Sequence, residues 1–248
     1  MRTTSIFMSF ALSLLLWSCS DDIVGEGTRS KAAKRQNVTF TFDAIEAPSN
    51  WAQYQTLEEM LDACQIPEEK LKSMSTDELI EVCMSHPLHA LYFYYNNELD
   101  GADVVFSHFN GFVELNKRAD AADKMLAFYD DINFNSQANL AHRKDFTSAT
   151  YSGFVDLFMA SKQLGALYDS EHLQKLEQIS ARVLEKKLAQ SPDDIYTIRR
   201  SLLISSQVKL VAGGLTAKEA RVLNSFVKSG GNVDAPQTYS EVSAIVAK

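Results

Sequence analysis

From Trp51 onward the chain repeats one local signal, a hydroxyl residue followed three positions later by glutamate: Thr56 and Glu59, Ser75 and Glu78, Thr216 and Glu219. In that spacing the hydroxyl accepts from an exposed amide of the first turn while the carboxylate reaches back to the capping residue, so each pair marks a helix start. Pro67 and Pro192 stand where a proline opens a helix without losing a hydrogen bond, the second preceded by Ser191 as its cap. Leu173, Leu176, Ile179, Val183 and Leu188 recur at helical spacing, and Ile195, Ile198, Leu202 and Leu210 begin a second stripe. Both stripes are expected to face a core. Val38 to Phe42 alternates apolar and polar residues, the period of a short N-terminal strand or of an extended segment laid across a helical body. No hairpin partner accompanies it. The fold class is therefore all-α, an irregular array or bundle of short helices followed by longer ones. No fixed period recurs that would make it a repeat protein. Gly230-Gly231-Asn232 breaks the chain before a last amphipathic segment carrying Val242, Ile245 and Val246.

The N-terminus has a different character. Arg2 precedes an uncharged run from Ile6 to Trp17, twelve apolar and small residues that read as the core of a signal peptide. As a helix that run spans about 18 Å, short of the roughly 30 Å of hydrocarbon a membrane span must cross. Leu16-Trp17-Ser18-Cys19 resembles the lipobox of bacterial lipoproteins. The resemblance implies cleavage before Cys19, a diacylglyceryl group on its thiol and an acyl chain on its new amino terminus, which together anchor firmly. The alternative is a secreted protein with a free cysteine near its end. Ser20, Asp21 and Asp22 resemble the acidic surface-export signal of Bacteroidetes lipoproteins, which implies the outer face of the outer membrane; the alternatives are a periplasm-facing protein and aspartates that only solvate a tether. Residues 1–18 are thus expected to be a lipoprotein signal peptide, 19–37 a flexible polar tether and 38–248 a helical domain, with a subdivision into 51–145 and 146–248 left open.

The text from Trp51 to Leu88, with its Ala-Cys-Gln-Ile-Pro, Met-Ser-Thr-Asp-Glu-Leu and His-Pro-Leu segments, and the later Phe109-Asn110-Gly111, resembles a pattern of uncharacterised secreted proteins and lipoproteins of the Bacteroidetes. The resemblance implies a compartment and a helical domain. It brings no activity and no catalytic residues.

Charge narrows the partners. With 24 basic and 32 acidic residues the chain carries a formal charge of −8, and its dense basic cluster, Arg29, Lys31, Lys34 and Arg35, falls in the tether, so nucleic acid is not an expected partner. Cys64 and Cys83 are too few for a disulfide framework; they are expected as core residues, although an oxidising compartment would let them pair. Each falls late in an apolar-faced helix, which also argues against a nucleophile, since nothing in the sequence brings a base beside it. His86 and His89 offer two metal nitrogens, but zinc needs three or four ligands, and His108, His142 and His172 are scattered. Asp131 to His142 begins like a calcium loop and fails at Ser136 and His142, where glycine and glutamate are required. No phosphate loop, nucleophile elbow or dinucleotide fingerprint occurs, so no cofactor and no metal are expected.

One surface candidate is left, the aromatic run Tyr92-Phe93-Tyr94-Tyr95. Four consecutive rings cannot share one side of a helix, and Tyr92, Tyr94 and Tyr95 are the candidate ligand contacts. The functional expectation is a non-catalytic, lipid-anchored envelope protein that offers a helical surface to a protein or glycan outside the cell. The alternative from another class is an extracytoplasmic hydrolase with a site assembled from dispersed residues.

Overall fold

The computed structural model describes Phe40, Phe42 and residues 51–132, 148–163, 167–190, 195–233 and 236–248. The signal segment, Cys19, Ser20, Asp21, Asp22, the basic cluster, the polar loop from Asn133 to His142 and the Ser191–Pro192 start lie outside these residues.

The capping signals act where they were expected. Thr56 accepts from the Glu59 amide at 3.2 Å and Glu59 returns to the Thr56 amide at 3.3 Å, opening α1, Leu57–Ala63. Pro67 caps α2, Glu68–Ser73, from just outside the helix, its carbonyl taking the Leu71 amide at 2.9 Å. Ser75 accepts from the Glu78 amide at 3.2 Å at the start of α3, Thr76–Met84. A 3-10 turn, η1, follows over His89–Tyr94, then α4, Glu98–His108, α5, Asn110–Leu115, and α6, Ala121–Asp130. The second half holds α7, Ser148–Met159, α8, Ser170–Gln190, α9, Ile195–Ala212, α10, Ala217–Lys228, and α11, Pro236–Val246. Thr216 and Glu219 form the full capping box of α10. Among the described residues every regular element is helical, and the chain is all-α. Phe40 and Phe42 are not in a strand; their rings meet at 5.1 Å, and Phe42 is buried against His86 and Phe109.

The core of the first helices is aromatic. The Phe106 ring lies 5.0 Å from Phe112, 5.1 Å from Phe154 and 5.2 Å from Phe158, and Phe112 stacks on Phe158 at 5.0 Å. These rings come from α4, α5 and α7, so the core crosses the 145/146 point. Helix α7 also packs on η1 and α3, and α8 packs on α6. Residues Asn37–Lys248 therefore form one compact unit.

Helix α9 is the hub of the second half, touching α7, α8, α10 and α11. The stripe on α8 is buried as expected at Leu173, Leu176, Ile179 and Val183, with Leu188 half-buried. The stripe expected on α9 faces inward only in part: Leu202 and Leu210 are half-buried and packed against the core, Ile198 is half-buried, and Ile195 is corrected to a surface residue, 52% exposed. The face that α9 buries most completely carries Arg199, Arg200, Leu203, Ile204 and Val208. Apolar periodicity cannot register two arginines drawn inward by a buried carboxylate.

Gly230 and Gly231 join α10 to α11 with φ of +64° and +74°, the left-handed region that favours glycine. A Cβ at Gly230 would lie 1.9 Å from Asn97 Oδ1, and one at Gly231 would lie 2.6 Å from Arg199 Cγ. The turn thus sits directly on the start of α4, where Asn97 Nδ2 donates to the Lys228 carbonyl at 3.2 Å.

Chemical denaturation checks this picture. Phe158→Ala, which opens a cavity among fully buried rings, is expected to cost about 3–5 kcal/mol. Gly231→Ala, which combines positive φ with a collision against Arg199, is expected to cost more than about 1 kcal/mol. Val113→Ala, at a position 42% exposed, should stay within about 0.5 kcal/mol of the parent.

Candidate ligand-contact surface and the ion network beneath it

The aromatic run lies on η1 and its exit. A 3-10 turn rotates each successive side chain by about a third of a circle, so only one of three neighbours can face the body. Tyr92 is that residue. It is fully buried, its hydroxyl donating to the Thr150 carbonyl at 3.1 Å, and burial pushes its ionisation far above the usual tyrosine range, which keeps the proton in place to donate. As a direct ligand contact Tyr92 is therefore corrected to a core residue. Phe93 is 54% exposed and Tyr94 86%, while Tyr95, where the backbone turns extended at φ −110° and ψ 142°, is 37% exposed. The ring of Phe93 rests against that of Tyr92, with centroids 4.2 Å apart.

What holds this turn is charged. Asn97 caps α4 by accepting from the Leu99 amide at 3.0 Å, which puts Glu98 on the first turn with its carboxylate turned inward and only 6% of the residue exposed. Arg200 grips that carboxylate with two hydrogen bonds, Nε at 3.0 Å and Nη2 at 3.1 Å. Arg199 adds a third contact, Nη2 at 2.7 Å, and donates through Nη1 to Asn232 Oδ1 at 2.6 Å. Asn232 in turn donates to the Asn96 carbonyl, so the loop between the aromatic run and α4 is tied from both sides. The Arg200 guanidinium lies 5.3 Å from the Tyr92 ring centre and 5.9 Å from that of Tyr196, and Arg199 lies 5.0 Å from Tyr196. Tyr196 and Ile195 are about as exposed as Phe93, at 53% and 52%.

A second buried pair adjoins the first. Asp156 on α7 pairs with Lys187 of α8 and accepts from the Tyr129 hydroxyl at 2.9 Å, and all three residues are buried. Three residues earlier on α7, Gly153 leaves the space that Tyr92 and Arg200 use: a Cβ there would lie 2.3 Å from the tyrosine oxygen and 2.8 Å from Arg200 Nη1. Sequence reasoning missed this whole network. Buried arginines on α9 and a glycine amid the apolar residues of α7 are the traces it leaves in the chain.

The other candidates fall in the core. His86 and His89 flank Pro87 and are buried; the Leu88 amide donates to His86 Nδ1 at 3.1 Å, and the two rings pack edge-on against Phe109 and Phe154. Cys64 and Cys83 are buried thiols, Cys64 donating to the Met60 carbonyl at 3.1 Å. Burial pushes the Cys83 thiol well up, away from the reactive thiolate. His108 pairs with Asp62 at 2.9 Å, and His172 lies between Asp169 at 2.7 Å and Asp123 at 3.4 Å. Among the described residues no group of three His, Cys, Asp or Glu side chains could hold a metal ion.

Two substitutions test the electrostatics. Glu98→Gln leaves two buried arginines without their counter-charge, and a loss of about 3–5 kcal/mol in urea denaturation is expected. Asp103 on α4 is raised from its ordinary 3.8 to about 6, chiefly by burial, with Lys162 opposing and Asp100 adding. A carboxyl raised on folding favours the native state at low pH, and that contribution is lost as pH climbs from 3.8 to about 6. Asp103→Asn should therefore gain melting temperature relative to the parent across that window and hold the gain above it. Equal pH profiles for the two proteins would contradict this.

No family model matches the chain, and no curated protein and no solved structure matches it either.

Proposed function

We propose that this chain is a non-catalytic, lipid-anchored envelope protein that presents its aromatic turn to a protein or glycan partner outside the cell. The observation that carries the reading is the exposure of Phe93, Tyr94 and Tyr95 on a turn whose neighbours are buried, hydrogen-bonded and ion-paired. Rings held in place lose little conformational entropy on contact, which is why rigid aromatics serve as anchors at interfaces. The residues weighed for nucleophilic or metal chemistry, Cys64, Cys83, His86 and His89, are packed in the core instead. No helix among the described residues is long and apolar enough to cross a membrane, so the reading places attachment at Cys19 and direction of export at Ser20, Asp21 and Asp22.

Three experiments test it. Cys19→Ala should block lipoprotein processing and move the protein out of the detergent phase, and replacing Asp21 and Asp22 should leave it protected when intact cells are shaved with protease. Unchanged maturation and partitioning of Cys19→Ala would refute the anchor. For the surface, the full chain bearing Phe93→Ser, Tyr94→Ser and Tyr95→Ser should lose binding to cells without its own copy while keeping the parent's melting temperature. Prior treatment of those cells with protease or with periodate assigns the partner to protein or glycan. A triple variant that binds as well as the parent overturns the role of the turn.

A further inference from the structure

Away from the aromatic turn, α7 ends beside α8 and α9 and leaves a hollow of about 150 Å³. Four of its walls are apolar and almost wholly buried: Met159 from α7, Leu173 and Leu176 from α8, and Val208 from α9. Its polar lining is Gln207 of α9 and two consecutive residues just past the end of α7. Ser161 is 1% exposed, and its hydroxyl has no hydrogen-bond partner among the described residues. Lys162, the next residue, is exposed and stands at the rim.

Each feature restricts the guest. Space of this size takes a molecule of about the volume of benzene. Apolar walls call for a hydrocarbon body. A buried hydroxyl without a partner carries a desolvation cost that an incoming acceptor removes, and an ammonium at the same end of the hollow makes an anionic acceptor better than a neutral one. We propose that this hollow binds a short aliphatic monocarboxylate of about six carbons, its tail between Leu173, Leu176 and Val208 and its carboxylate toward Ser161 and Lys162. Ser161 Oγ donates one hydrogen bond to the carboxylate, and Lys162 supplies the counter-charge. Asp103 is within electrostatic reach of Lys162 and shares that cation with the guest. The site is separate from the aromatic turn and does not depend on what that turn recognises.

Nuclear magnetic resonance titration of the full chain with hexanoate tests the assignment, with hexanol and hexylamine as probes of the same body. Saturable shifts on the methyl groups of Leu173, Leu176 and Val208 are expected with hexanoate, together with binding about threefold weaker in Lys162→Gln, the effect of one exposed charge. Val211→Trp, which fills the mouth at a position 49% exposed, should abolish the shifts without lowering the melting temperature. Absence of saturable shifts overturns the site. Hexanol or hexylamine binding as tightly as hexanoate, or hexanoate binding unaltered by both substitutions, overturns the assigned ligand class.

Discussion

A carboxylate stripped of nearly all its water is costly unless the protein surrounds it with charge and hydrogen bonds, and Glu98 sets that condition for much of this fold. Its two arginines come from α9, its own helix is capped by Asn97, and the asparagine that steadies Arg199 comes from the turn before α11. Glu98 thus holds α9 directly and, through Arg199 and Asn232, the turn before α11. The position suits a negative charge, because the amide ends of a helix start carry partial positive charge. Replacing such a cluster by well-packed apolar groups is often neutral or stabilising, so its value here lies in fixing one arrangement of α4, α9 and the aromatic turn.

That arrangement has a consequence for the surface. Tyr92 is clamped between a backbone carbonyl and a guanidinium, and Phe93 leans on Tyr92, so the Phe93 ring rests on the charges beneath it. Tyr196, one turn earlier on α9, stands over the same pair of arginines. The outer face at Phe93 and Tyr196 is therefore built on an ionic floor.

Local chemistry was legible in the chain and distant chemistry was not. Thr56, Ser75 and Thr216 announce their helices because the residues that answer them lie three positions away, and the buried stripe of α8 is legible because its apolar residues keep one period. Glu98 and Arg200 are 102 residues apart, and Tyr92 is 58 from the carbonyl it meets. Nothing in the spacing of charged residues pairs them, so the buried arginines of α9 leave no mark in its apolar stripe. The aromatic run was legible as a surface candidate, yet which of its rings turns inward depended on η1 adopting a three-residue period. The hollow beside α7 was invisible for the same reason, since its walls come from three helices.

The Gly230–Gly231 turn also affects how the molecule comes apart. It is seated on Asn97 and Arg199, and its contacts to Asn96 and Asn97 span 136 and 131 residues of chain. Helices α10 and α11 are therefore fastened at their shared corner to the network around Glu98, in addition to their packing on α9. Detaching that corner strips Arg199 of Asn232 and loosens the first turn of α4 in the same event. Opening of the last helix pair is then a cooperative unit that reaches across the sequence to residue 97, and backbone amides at both places should exchange with solvent at a common rate.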